Sequence, residues 1–166
     1  MSTEEFIIIV YLIIEEIYPT IVSEPLRKRG FPPALTDIEI ITMQIVGECL
    51  KMDTDKSIWM FFKNNYLSWF PHLGSYPNFC KHCANLWQVH QKITAQLTAH
   101  YGQDHIHFID GFPIPVCRYS RAKRHKNFKE HAGFSYCAAQ QEKYYGFKGH
   151  LVINLEGMIT GYTFAP

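Results

Sequence analysis

Apolar positions recur at helical spacing through the first hundred residues, and beyond Gly102 they give way to short runs broken by Gly, Pro and charged residues. One chain therefore carries two textures. A helix is predicted from Thr3 to Tyr18, with Pro19 terminating it because proline supplies no backbone donor. Thr36-Asp37-Ile38-Glu39 has the spacing of a capping box, and Ile38, Ile41, Ile45 and Cys49 follow at helical intervals, which predicts a helix from Asp37 to about Lys51. A third helix, from about Lys56 to Trp69, carries Ile58, Trp59, Phe61, Phe62 and Tyr66 as core candidates. Pro77 suits a first helical position, and the breaker-poor stretch from Asn78 to His100 predicts one long fourth helix with Leu86, Val89, Ile93 and Leu97 in a single stripe.

Past a boundary at Tyr101 to Asp104, strands are predicted at Ile106 to Asp110, Ile114 to Tyr119, Phe134 to Ala138, Phe147 to Asn154 and Met158 to Phe164. Glu156-Gly157 supplies a turn, so the last two strands should form an antiparallel hairpin.

Composition narrows the class. With 47% apolar and 19% charged residues, the 166-residue chain can bury a core and is not broadly disordered. Five cysteines, an odd number without a secretory signal, suit a reducing compartment, and the cytoplasm is the expected location. The apolar run Phe6 to Ile14 is flanked by Glu4, Glu5, Glu15 and Glu16 and is too short to span a bilayer, so a buried helix is expected and no membrane partner.

The net charge of +1 conceals an asymmetry. From Arg118 to His150 eight Lys/Arg stand against Glu130 and Glu142, a local +6, whereas residues 1 to 104 sum to −3. Arg118, Arg121, Lys123, Arg124, Lys126 and Lys129, interleaved with Tyr119, His125 and Phe128, have the composition of a loop that tracks a phosphate backbone; a solvated surface loop is the alternative. The only basic cluster of the first part is Arg27-Lys28-Arg29, and the two helices from Asp37 to Trp69 are the candidate helix-turn-helix of this region.

Candidate chemistry is sparse. In His105-Ile106-His107-Phe108-Ile109-Asp110, a period of two puts Ile106, Phe108 and Asp110 on one strand face, with the acid at the strand's C-terminal end, where it can reach a metal or simply open an Asp-Gly turn. Lys148 and His150 share a face, opposite Phe147 and Leu151, and beside a carboxylate strand they could hold a phosphate or form an ordinary solvated face. Cys80, His82 and Cys83 resemble half of a zinc site but lack a second pair, while Cys49, Cys117 and Cys137 read as small packing residues.

Taken in order, Ile109 to Cys117, Arg118, Arg121, the basic run, Tyr136-Cys137, Glu142 to His150, Leu151-Val152-Ile153 and Ile159 to Thr163 resemble the insertion-sequence transposases of family nine-eight-two. The resemblance implies an α+β protein: a helical, DNA-end-binding region over 1–103, then the N-terminal part of a ribonuclease-H-like catalytic domain over 104–166, a truncated mixed β-sheet. It implies Asp110 as the first of three acidic metal ligands, Mg²⁺ (or Mn²⁺) as cofactor, transposon terminal repeats and target DNA as partners, a homo-oligomer, and a nucleoid-associated bacterial protein. The second and third acids belong to later segments of the family pattern, so the chain is expected not to cut or join DNA, since two ions need several carboxylates. A non-catalytic DNA-binding module that regulates transposition, and an inert gene remnant, are the alternatives.

Overall fold

The computed structural model describes residues 1–24, 26–27 and 33–166, and the chain divides into two compact units, Met1–Gln96 and Leu97–Pro166. The basic cluster's Lys28 and Arg29 lie outside the described residues.

Helices α1 (Thr3–Ile21), α2 (Asp37–Cys49), α3 (Asp55–Asn65), α4 (Tyr76–Asn85) and most of α5 (Trp87–Tyr101) build the first unit. Ser2, Thr36 and Thr54 each close a reciprocal capping box with the residue three positions on, so the first three helices are satisfied at their N-termini by local sequence. Pro19 does not end α1: it sits in the last turn, and the Val22 N–H still bonds to the Tyr18 carbonyl at 2.9 Å. A proline near a helix end removes one bond that fraying would weaken anyway.

The buried face of α2 lies mostly off its predicted stripe: of Ile38, Ile41, Ile45 and Cys49 only Ile41 is buried. Ile40, Ile41, Thr42, Met43, Val46 and Gly47 are all buried, because α1, α3 and α4 surround the helix. Cys49, expected to pack, is exposed. Gly47 is required by this crowding, as a Cβ there would meet Ile58 Cγ1 at 2.5 Å. The third helix stops at Asn65 rather than Trp69, and Phe62 and Phe70 meet edge to face with centroids 5.3 Å apart.

The long fourth helix is two. At Leu86 the backbone leaves helical geometry, with its N–H bonded to the Cys83 carbonyl at 3.0 Å, and α5 starts at once. Leu86 is fully buried, as are Phe79 and Cys83 before the break and Val89 and Ile93 after it, so packing sets a kink for which the sequence has no breaker. Across the unit, the Tyr18 hydroxyl donates to Asp37 Oδ2 at 2.6 Å, and Asp37 Oδ1 lies 2.5 Å from His82 Nε2, tying α1, α2 and α4 together. The His82 bond holds the Asp37 carboxyl below its ordinary value, against burial, which acts the other way.

The second unit is a four-stranded sheet of β1 (His107–Cys117), β2 (Gly133–Cys137), β3 (Glu142–Asn154) and β4 (Ile159–Ala165). The two strands predicted on either side of Pro113 are one, and the α+β class stands. All three pairings are antiparallel, each made with β3, so the parallel member of a mixed sheet is not among the described strands. On one side β3 pairs with β1, while on the other β2 takes residues 142–146 and β4 takes 148–153. Pro113 and Pro115 are tolerated because β1 pairs on one side only, leaving its other edge without need of their missing donors. The Glu156-Gly157 turn forms as expected: Gly157 has φ 81°, and the buried Asn154 accepts the Met158 N–H on its Oδ1 at 2.8 Å.

Candidate functional site

Asp110 is the fourth residue of an eleven-residue strand, so it neither ends β1 nor opens an Asp-Gly turn. Its carboxylate is exposed, and Oδ1 accepts the Gly111 N–H at 2.7 Å. Directly paired residues of an antiparallel ladder project to the same side. Asp110 pairs with Leu151, and Phe112 with Gly149, while in the next strand Leu151 pairs with Tyr162 and Gly149 with Phe164. The acid thus stands among aromatic and aliphatic neighbours.

Lys148 and His150 share a face, as expected, but it is the other one. They pair with Pro113 and Gly111, one residue out of phase with Asp110, and a Cβ on Gly111 would lie 3.2 Å from Lys148 Cε and 3.5 Å from His150 Nδ1. The strands are adjacent as expected, but the odd offset of the register puts the pair on the face opposite Asp110.

The basic segment takes their place on the acid's face. After β1 the chain forms a short 3₁₀ helix, Tyr119–Arg124, whose Ala122 is buried. Tyr119 packs edge-on against Phe134 and Phe128 against Phe147, each at 5.7 Å between centroids, and Phe134 also tilts against Tyr145 at 4.8 Å. Phe134 pairs with Tyr145, and Phe147 with Ile114, so all three lie on the side of the sheet that bears Asp110. Phe128 accepts φ 57°, a left-handed backbone, to reach its partner, and its carbonyl is capped by the His131 and Ala132 N–H groups.

Pinned at both ends, the segment turns its cations outward. Arg118, Arg121, Lys123, Arg124, Lys126 and Lys129 are all exposed, and among the described residues none has a carboxylate within ion-pair distance. Leu151, opposite Asp110, and Phe147, under Phe128, are four residues apart on β3, which places the acid roughly 13 Å from the anchored loop. Sequence reading took Tyr119 and Phe128 as part of the contact surface; they are its anchors. The matching aromatics at 134, 145 and 147 were the available signal.

Residues do not assemble into a metal centre here. No group of three His, Cys, Asp or Glu is placed to hold an ion among the described residues, and the neighbours of Asp110 on its face are apolar. The residues present do not fit a pair of divalent ions. In the helical unit His82 Nε2 is taken by Asp37, and burial pushes the Cys83 thiol up to about 12, far from the thiolate a zinc ion needs. Among the described residues no helix is long and apolar enough to cross a membrane.

The sheet carries one carboxylate in its first strand and an outward cationic segment on the same face. Residues 101–166 match the family model of a transposase DDE domain. No curated protein and no solved structure matches the chain.

Proposed function

We propose that this chain serves an insertion-sequence DDE transposase of family nine-eight-two, and that its own part is to hold DNA. The phosphate backbone lies along Arg118 to Lys129, and Asp110 is the first acidic ligand of the family's site. One carboxylate does not clamp two ions, so the 166 residues by themselves bind DNA without cutting it. The observation that carries the reading is the aromatic anchoring, to the face of Asp110, of six cations that have no carboxylate partner among the described residues, within the segment that matches the family model.

The test is anisotropy of a labelled random-sequence duplex titrated with the full chain. Log affinity should fall linearly with log salt, with a slope of about −0.9 for each phosphate neutralised. The triple variant Arg121→Glu/Lys123→Glu/Arg124→Glu should bind at least about tenfold more weakly with a shallower slope. Unchanged affinity in a folded triple variant would overturn the DNA reading, and efficient Mg²⁺- or Mn²⁺-dependent nicking by the wild-type chain would overturn the non-cutting part of it.

A further inference from the structure

The outer edges of the sheet are not alike. β1 carries Pro113 and Pro115, and β2 is only five residues long; both features blunt an edge against pairing with another strand. β4 has neither protection. Ile159-Thr160-Gly161-Tyr162-Thr163-Phe164-Ala165 holds no proline and no charge, and its Ile, Thr, Tyr and Phe all favour strands. It pairs with β3 on one side only, which leaves a row of backbone donors and acceptors on the other. The Ile159 carbonyl accepts the Thr98 hydroxyl at 3.2 Å, so the start of this edge is taken. From 161 to 165, among the described residues, no backbone bond is made outside the β3 ladder, and Tyr162, Thr163 and Phe164 are all exposed.

Such an edge is satisfied by another extended strand. The outer edge of β1 in a second copy is a poor partner, because Pro113 and Pro115 bring no N–H, and a head-to-tail contact of that kind would grow without closing. The same β4 in a second copy suits it better. Tyr162 and Phe164 lie on the face of Asp110, whereas Gly161, Thr163 and Ala165 lie on the other. Opposed residues of an antiparallel pair project to one side, so self-pairing must match residues of the same face. A twofold axis at Thr163 does this while staying clear of the occupied Ile159 and of the register shift beside it. Thr163 then meets its own copy, and Tyr162 meets Phe164 on either side of it. Aromatic pairs and threonine pairs are both favourable across strands. From Gly157 to Pro166 the chain has no charged side chain, so the copies meet no like charge along the seam.

We propose that two copies of this chain join edge to edge through β4, antiparallel about Thr163, into one continuous sheet. The axis stands perpendicular to the sheet, so both Asp110 faces look the same way. Five paired residues and two aromatic pairs bury less than the roughly 800 Å² per partner of a standard interface, so the dimer is weak and forms only at high concentration. The pairing stands or falls independently of DNA binding.

Sedimentation of the full chain over a concentration series should show monomer passing to dimer in the high-micromolar range and no larger species. Opposed residues have Cα atoms about 4.5–5.5 Å apart, within reach of a disulfide. Under mild oxidation Thr163→Cys should therefore give a covalent dimer, mapped by mass spectrometry to position 163, at least about tenfold faster than Lys126→Cys, which is exposed on the same unit. Thr163→Lys, at an exposed position where folding is not at stake, brings two cations together on the axis and should raise the dissociation constant at least about tenfold, with the circular dichroism unchanged. A monomer at every concentration, growth past the dimer, cross-linking of Thr163→Cys no faster than that of Lys126→Cys, or a dimer that Thr163→Lys leaves intact would overturn the proposal.

Discussion

Asp110 and His150 sit on neighbouring strands yet face away from each other, because Asp110 pairs with Leu151 and His150 with Gly111. A duplex that rests on the acid's side therefore touches the anchored loop and not the lysine and histidine of β3. Charge reversal by Lys148→Glu should change duplex affinity by less than about twofold, whereas Lys123→Glu should weaken it several-fold, both read by anisotropy at fixed salt. Equal losses from the two variants would place the nucleic acid elsewhere.

Gly146 has no room for a side chain: a Cβ would stand 2.0 Å from the Ile114 carbonyl oxygen and 2.9 Å from Pro115 Cα, both backbone atoms. Gly146→Ala should cost the sheet about 1–3 kcal/mol or more, as overpacking does, while leaving the helical unit untouched. Hydrogen exchange would show lost protection across β1 and β3 with that of α1 and α2 unchanged.

Acid should weaken the helical unit in a defined window. Asp37 is depressed in the folded state, first by its bond to His82, so its contribution is present above the ordinary carboxyl value of 3.8 and is lost as pH falls below it. Burial also lowers His90, whose Nε2 lies 2.9 Å from Gln44 Oε1, and its contribution is lost as pH falls below 6.5. Asp37→Asn should remove the lower limb of the acid unfolding curve followed by circular dichroism and leave the upper one; a curve of unchanged shape would refute the linkage.

Thiol reactivity should separate sharply. Cys83 is buried with its thiol pushed up to about 12, whereas Cys49 is exposed. Alkylation at pH 8 followed by mass spectrometry should modify Cys49 at least about a hundredfold faster, since the thiolate is the nucleophile. Comparable rates would mean that α4 opens readily.

The β3–β4 turn depends on two residues. Gly157 adopts φ 81°, and Asn154 closes the loop from inside with its Oδ1 on the Met158 N–H. Gly157→Ala and Asn154→Ala should each cost about 1 kcal/mol, the first through the positive φ and the second through the lost bond to the Met158 N–H. A thermal midpoint unmoved in both would show that the turn is not needed to hold the hairpin.

Local chemistry made much of this fold legible. The Thr36-to-Glu39 capping box, the Pro77 helix start and the Glu156-Gly157 hairpin rest on interactions within a few residues, and each appears where the sequence placed it. What failed depends on distant partners. The kink at Leu86 and the choice of α2's buried face are set by packing, and Pro113 reads as a strand breaker unless β1 is known to pair on one side only. In the candidate site, period two correctly grouped Lys148 with His150, but the side on which Asp110 would fall depended on a register that no single strand encodes.

Among the described strands, β1, β2 and β4 pair with no strand other than β3. The sheet has a hub and three spokes, so peeling any spoke leaves the rest assembled, whereas a break in the hub frees everything at once. Tolerance to substitution in this unit is therefore expected to be uneven, forgiving along the perimeter and steep along residues 142 to 154.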